Sequence, residues 1–215
     1  MGSALTAWLV DEGARVAVSY RQDRARAEKW SEWAVVVQAD LAVAADRARL
    51  LDAAPALYGV VVFAGDPVRD RNMTRSHEVN YEGPILLARE AVERMKAAQT
   101  PGAIVLLSTM QANALFPGST VYAAQKAALQ HAARILAKET RGPSGIRVNV
   151  VSPGVMAAGM AEASIASGKY ERYIQEGVIG RYGRAEDVAG AVRFLLEPDN
   201  YVTGQVVCVD GGIGL

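Results

Sequence analysis

The chain has 215 residues, of which 51% are hydrophobic and 21% charged, enough apolar material for a globular domain with a sizeable core. Its 23 basic and 23 acidic residues balance, which excludes a nucleic-acid-binding protein that neutralises phosphates along a basic face. One cysteine and two histidines exclude a disulfide scaffold and the usual metal-ligand clusters. The N-terminus lacks signal-peptide features and the longest uncharged stretch contains turn residues, so we expect a cytoplasmic protein with no membrane span.

Apolar, β-rich runs alternate with segments of helical periodicity along the chain. Most of the runs are continuous rather than alternating, as in strands that are buried on both faces. This order predicts one α/β domain over residues 1–215, a doubly wound, Rossmann-like parallel sheet with helices on both faces. The expected strands are 15–20, 34–39, 59–64, 103–108, 147–152 and 205–210, and the expected helices are 3–12, 22–32, 43–53, 79–96, 121–140 and 185–195.

One long irregular segment, residues 153–183, separates the fifth and sixth expected strands. An insertion of this length in a compact domain generally has a function, so we expect residues 154–183 to form a lid. The alternative is a poorly ordered surface loop.

The residues that follow the fourth strand are candidates for a catalytic site, because ligands of open α/β sheets bind at the carboxyl ends of the strands. Ser108 and Thr109 follow that strand, Tyr122 comes thirteen residues after Thr109, and Lys126 follows four residues later. The last spacing places the phenol and the ammonium group on one helix face. A neighbouring cation lowers the pKa of a phenol, which would make Tyr122 a usable proton donor and acceptor.

Several motifs surround this pair in a fixed order. They are FAG at 63–65, VNYEG at 79–83, STMQANALFPGSTVYAAQKAAL at 108–129, RVNVVSPG at 147–154 and YVTGQVVCVDGG at 201–212. With these motifs the chain resembles the short-chain dehydrogenase/reductase family, especially its 3-oxoacyl-carrier-protein reductases, over nearly its whole length.

The resemblance implies a role for each of the catalytic residues. Tyr122 would be the acid/base, and Lys126 would lower the pKa of Tyr122 while it binds the nicotinamide ribose. Asn80 would anchor the water of a proton relay. Thr109 would polarise the substrate carbonyl, with Ser108 as the alternative. The reaction would be hydride transfer between a nicotinamide cofactor and a small carbonyl or alcohol substrate.

The resemblance also implies a cofactor site. Family members that select NAD carry an acidic residue at the end of the second family strand, where this chain has Tyr20 followed by Arg21. Arginine pairs with a 2′-phosphate, so NADP is favoured over NAD, which stays possible. The other implied cofactor-binding residues are Gly2, Ala64 and Gly65, together with Tyr122 and Lys126. Asp40 would contact the adenine, and Pro153 and Gly154 would form the turn beside the nicotinamide.

The chain departs from the family at its start. The family's first strand and glycine-rich turn are missing, and only Gly2 of that turn aligns, so we expect weak dinucleotide binding and unpaired neighbouring strands. Three interpretations stay open: an active reductase, an impaired member that serves as a binding or structural subunit, and an incomplete copy of a normal enzyme. The resemblance further implies a homo-oligomer, a tetramer or a dimer. Cys208, on an apolar strand, is expected to be buried.

Overall fold

A computed structural model describes residues 1–66 and 72–215. The strands in this part of the chain are β1 (Val16–Tyr20), β2 (Ala34–Gln38), β3 (Gly59–Val62), β4 (Gly102–Leu107), β5 (Ile146–Pro153) and β6 (Val206–Val209). The α-helices are α1 (Gly2–Asp11), α2 (Arg24–Glu28), α3 (Ala44–Asp52), α4 (Met73–His77), α5 (Gly83–Ala97), α6 (Thr120–Thr140), α7 (Glu162–Ala166), α8 (Glu171–Gln175) and α9 (Ala185–Leu196).

All the strand pairs are parallel, and the α/β fold with helices on both faces is confirmed. The strands form two sheets, with the orders β1-β2 and β3-β4-β5-β6. Among the described residues no strand pairs with the second edge of β1 or of β3, in line with the expectation of unpaired neighbouring strands.

The larger sheet is covered on both sides because successive side chains of a strand point to opposite faces. On β4, Ile104 and Leu106 pack against a core made with α5 and α6, whereas Val105 packs against α1 and α9. Every residue of β4 is buried, which explains its continuous apolar sequence.

The helix expected at 79–96 is interrupted in the structure. It consists of α4, a π-helical turn (Glu78–Glu82) and α5. The wide turn contains the buried Asn80, and Gly83 follows it. A Cβ at Gly83 would lie 2.8 Å from the carbonyl oxygen of Leu41, so only glycine permits this approach. Apolar periodicity does not reveal a π turn, since the turn changes the register of the helix by one residue.

The ends of the expected lid lie side by side. The amide of Ala157 donates to the carbonyl of Gly183 at 2.8 Å, and the amide of Gly183 donates to Val155 at 2.9 Å. Between them, Tyr170 and Ile179 pack in a third apolar cluster with Met110, Val155 and Ile213. None of the helices in the described ranges is long and apolar enough to cross a membrane.

Candidate active site

Most of the expected site residues lie at the carboxyl ends of the strands, as they do in open α/β sheets. Tyr20 ends β1 and Pro153 ends β5, and each of the other residues of this group follows one of the strands β1 to β5 within three residues. The group consists of Tyr20, Arg21, Asp40, Ala64, Gly65, Ser108, Thr109, Pro153 and Gly154.

Lys126 is the most enclosed charged group of the site. Its side chain is buried under helix α6, with 2% of the residue exposed. Its Nζ donates hydrogen bonds to the carbonyl oxygens of Leu107 at 2.9 Å and Ala64 at 3.5 Å. Burial lowers the pKa of Lys126 to about 8, so the ammonium form still predominates at pH 7. An ammonium group has three N–H donors, which leaves one for a ligand.

Tyr122 lies one turn before Lys126 on α6. Burial raises the pKa of Tyr122 to about 12, opposite to the lowering by Lys126 that we expected. The desolvation of the phenol outweighs any attraction from the cation, which is held by two backbone carbonyls. The hydroxyl group has no hydrogen-bond partner within residues 1–66 and 72–215. Tyr122 therefore carries its proton at neutral pH.

Asn80 joins the end of β3 to helix α6. Its Oδ1 accepts from the amide of Asp66 at 2.7 Å, and its Nδ2 donates to the carbonyl of Asp66 at 2.8 Å and to Oε1 of Gln125 at 2.9 Å. Gln125 in turn donates to the hydroxyl of Ser76 at 3.0 Å. Both amide hydrogens of Asn80 are thus used within the protein, and its role in anchoring a water stays a prediction.

Ser108 and Thr109 differ in their hydrogen bonds. Ser108 Oγ donates to the carbonyl of Lys126 at 3.2 Å and accepts from Nε2 of Gln130 at 2.9 Å. Thr109 Oγ1 accepts a long bond of 3.4 Å from the amide of Gln111. In the described part of the chain the hydroxyl hydrogen of Thr109 has no acceptor, so it is available to a substrate.

Asp40 lies at the other end of the site, in an ion pair that the sequence did not predict. Its carboxylate accepts from Nη2 of Arg75 at 2.6 Å and from the amide of Ala42 at 3.0 Å. Burial raises the pKa of Asp40, but these two bonds and the charges of Arg75 and Arg21 outweigh it and hold the pKa below its usual value. The expected adenine contact would have to share this carboxylate with Arg75.

Three of the expected glycines lie against other parts of the chain. A Cβ at Gly154 would lie 2.6 Å from Cα of Asp210, and a Cβ at Gly65 would lie 3.4 Å from Cε of Met160 in the lid. A Cβ at Gly2 would lie 3.5 Å from the Phe63 ring. Gly2 begins α1, whose N-cap residue has no side-chain hydrogen bond to the first turn.

Some residues that shape the site were not found from the sequence. Gln125 contacts Asn80, and Gln130 and Asn113 contact each other beside Ser108. A signal for Gln130 exists, because it continues the four-residue spacing of Tyr122 and Lys126. The described residues contain no group of three or more side chains that could hold a metal ion.

The residues around Lys126 fit a nicotinamide dinucleotide. The buried ammonium has one donor to spare, and the phenol of Tyr122 has no protein partner among the described residues. At the other end, Arg21 is exposed, and among the described residues its side chain donates only to its neighbour Gln22 at 3.2 Å. A spare cationic donor and an exposed guanidinium suit ribose hydroxyls and a phosphate, respectively.

Known proteins resemble the chain over its whole length. A family model described as enoyl-(acyl carrier protein) reductase matches residues 1–214. An uncharacterized oxidoreductase of Methylorubrum extorquens is 34% identical over 99% of this chain and 93% of its own length. An NADPH-dependent aldehyde reductase-like protein of Arabidopsis thaliana is 31% identical over 99% of this chain and 89% of its own.

A solved structure gives the same result. A short-chain type dehydrogenase/reductase from Mycobacterium ulcerans superimposes with a TM-score of 0.89 at 27% identity, over 99% of this chain and 85% of its own. The strand-end geometry, the Tyr122–Lys126 helix and the family model agree. The chain belongs to the short-chain dehydrogenase/reductase family of NAD(P)-dependent oxidoreductases.

Proposed function

We propose that the protein is an NADPH-dependent reductase of aldehydes or ketones in which Tyr122 delivers the proton. The observation that carries the proposal is the protonated phenol of Tyr122, which is free of protein partners in the described ranges and lies one helical turn from a buried ammonium. A phenol with its proton in place is the form that reduction of a carbonyl requires.

The mechanism follows from the hydrogen bonds of the site. The hydroxyl of Thr109 donates to the substrate carbonyl oxygen and holds it beside the phenol. As the carbonyl carbon is reduced, negative charge develops on this oxygen, and Tyr122 transfers its proton there. Lys126 holds a positive charge near the phenolate that is left. The nicotinamide cofactor supplies the hydride when it is bound.

The remaining strand-end residues, together with Lys126 of α6 and Arg75 of α4, would bind the cofactor. Lys126 would hold the nicotinamide ribose, Asp40 with Arg75 would face the adenine end, and Tyr20 with Arg21 would favour a 2′-phosphate. Ala64, Gly65, Pro153 and Gly154 would line the dinucleotide. The preference for NADP is supported by the exposed guanidinium of Arg21 and by the NADPH-dependent relative from Arabidopsis.

The composition of the lid favours one class of substrate. The lid segment contributes Tyr170 and Ile179 to an apolar cluster, with Ile165, Tyr173 and Ile174 packed against it. An apolar lid suits a moderately apolar carbonyl compound better than a sugar, because burying hydroxyl groups without partners is unfavourable.

The experiment is a panel of aldehydes and ketones assayed by NADPH absorbance. We expect turnover by the wild type and a loss of about 10²–10⁴-fold in Tyr122→Phe, because only the proton donor is removed. Tyr201→Phe is the matched control, since Tyr201 is fully exposed. Undiminished turnover of Tyr122→Phe would contradict the assignment. Cofactor binding without turnover of any compound would favour the binding-subunit interpretation instead.

A further inference from the structure

Helix α6 carries a polar residue next to Lys126 on the Tyr122–Lys126 stripe, Gln130, that the proposed mechanism does not use. Tyr122, Lys126 and Gln130 recur at intervals of four residues and therefore lie on neighbouring turns of one helix face. Gln130 is partly buried and reaches the segment that follows β4.

The side-chain amide of Gln130 holds two points of that segment. Its Nε2 donates to Oγ of Ser108 at 2.9 Å and to Oδ1 of Asn113 at 3.0 Å. Between these two points lie Thr109 and the short 3₁₀ turn Met110–Ala112. One nitrogen atom of Gln130 thus binds the segment on both sides of Thr109, at Ser108 and at Asn113.

Ser108 and Asn113 each make a further hydrogen bond to another element. Ser108 Oγ also donates to the carbonyl of Lys126 at 3.2 Å, so the segment is attached to α6 twice. Asn113 Nδ2 donates to Oγ of Ser152 at 2.6 Å and contacts Sγ of Cys208 at 3.5 Å. The network therefore joins α6 to the carboxyl ends of β4 and β5 and to the edge strand β6. Cys208 is exposed rather than buried as expected, because β6 is the edge strand of its sheet.

We propose that Gln130 is a positioning residue that holds the Thr109 hydroxyl in register with the Tyr122 phenol. It acts through the segment 108–113 and touches neither substrate nor cofactor. The inference rests on the proposed reductase function, in which Thr109 and Tyr122 must both reach one carbonyl oxygen. Small misplacements of such groups lower rates steeply, about 10²-fold for a displacement of about 1 Å.

The first test is kinetic. In Gln130→Leu we expect kcat to fall about 10- to 100-fold while the Kd for NADPH and the melting temperature stay near the wild-type values. Gln205→Leu is the matched control, because Gln205 is exposed and its side chain donates, within the described ranges, only to the carbonyl of Thr203. In a Thr109→Val background, Gln130→Leu should lower kcat by no further significant factor, since the group that it positions is gone. Additive losses, or a wild-type kcat in Gln130→Leu, would overturn the inference.

A second test does not need activity. The amides of Ala112 and Asn113 donate within the segment, to Thr109 and Met110, both at 3.0 Å. We expect hydrogen exchange at residues 109–114 to accelerate in Gln130→Leu and to stay unchanged elsewhere in the chain. Unchanged exchange in this segment would overturn the inference whether or not the protein is a reductase. The Tyr122→Phe assay tests the reductase function separately.

Discussion

At the scale of single residues, the hydrogen bonds of the site distinguish two hydroxyl groups, both of which the sequence offered as the one that binds the substrate carbonyl. Ser108 donates its hydrogen to the carbonyl of Lys126 and accepts from Gln130, whereas Thr109 accepts one long bond and keeps its hydrogen free of the described residues. A hydroxyl that already donates within the protein must break that bond before it can hold a substrate, which costs about 1 kcal/mol or more. The difference favours Thr109 as the substrate-binding hydroxyl.

A substitution of Thr109 tests this assignment. Thr109→Val keeps the shape and removes the hydroxyl, and we expect kcat to fall about 10²–10³-fold, as for the loss of one oxyanion donor. Thr109→Ser keeps the hydroxyl and should retain most of the activity. Turnover near the wild-type value in Thr109→Val would transfer the role to Ser108.

The buried ammonium of Lys126 makes stability depend on pH. The pKa of Lys126 is lowered from 10.5 to about 8 by burial. Between these values the unfolded chain binds more protons than the folded chain, so the free energy of unfolding rises with pH. In the wild type, the free energy of unfolding should rise by up to about 3 kcal/mol between about pH 8 and 10. In Lys126→Met we expect this rise to be absent.

Urea unfolding of both proteins at several pH values measures this difference. The comparison is limited to pH values below about 10. Above that pH, the raised pKa of Tyr122, about 12, makes the free energy of unfolding fall as the pH rises. Equal pH slopes for the wild type and Lys126→Met would contradict the buried, ionisable state of Lys126.

At the scale of elements, the ends of β5 and β6 pack closely at Gly154. Gly154 directly follows β5, and its amide donates to the carbonyl of Val209 at 3.0 Å. The resemblance assigns Gly154 to the nicotinamide turn, and the structure adds a reason within the protein, because a Cβ there would lie 2.6 Å from Cα of Asp210.

A methyl group at Gly154 should therefore force the ends of the two strands apart. We expect Gly154→Ala to lower the free energy of unfolding by about 1–3 kcal/mol, as overpacking does in a close-packed region. Gly180→Ala is the matched control, because nothing lies within 4 Å of a Cβ at Gly180, and its stability should stay close to that of the wild type. Chemical denaturation of the three proteins measures the change. Equal stability of Gly154→Ala and wild type would show that the strand ends yield without strain.

At the scale of the whole molecule, the outer faces of α5 and α6 are not fully covered. Ala128 is exposed, Ile135 is 48% exposed, and Ile85 and Leu86 are partly exposed. Small and apolar residues on adjacent helices suit a two-fold interface with a second copy of the chain. We predict a homo-oligomer, a tetramer or a dimer.

Sedimentation at micromolar concentration measures the oligomer. Ala128→Arg should shift the protein to smaller species, because a charged side chain would be buried in the interface. Ala14→Arg, at an exposed position between α1 and β1, should leave the distribution unchanged. A wild-type monomer, or an Ala128→Arg oligomer like that of the wild type, would contradict this interface.

The sequence by itself determined the order and nature of the main elements. Each of the six expected strands lies within two residues of an observed strand at either end, because parallel strands that are buried on both faces require continuous apolar runs. The four-residue spacing of Tyr122 and Lys126 likewise specified one helix face, since the helical repeat is a local property.

Only the tertiary structure decided which groups oppose one another. The pKa of Tyr122 is raised rather than lowered, because it depends on burial by elements that are distant in the chain. The Asp40–Arg75 pair and the bond between Asn113 and Ser152 join residues 35 and 39 positions apart. No local pattern encodes such contacts, because they arise only when the strand ends are brought to one edge of the fold. For the same reason Gln130, whose helical spacing was visible in the sequence, acquired a role only when its two partners were in place.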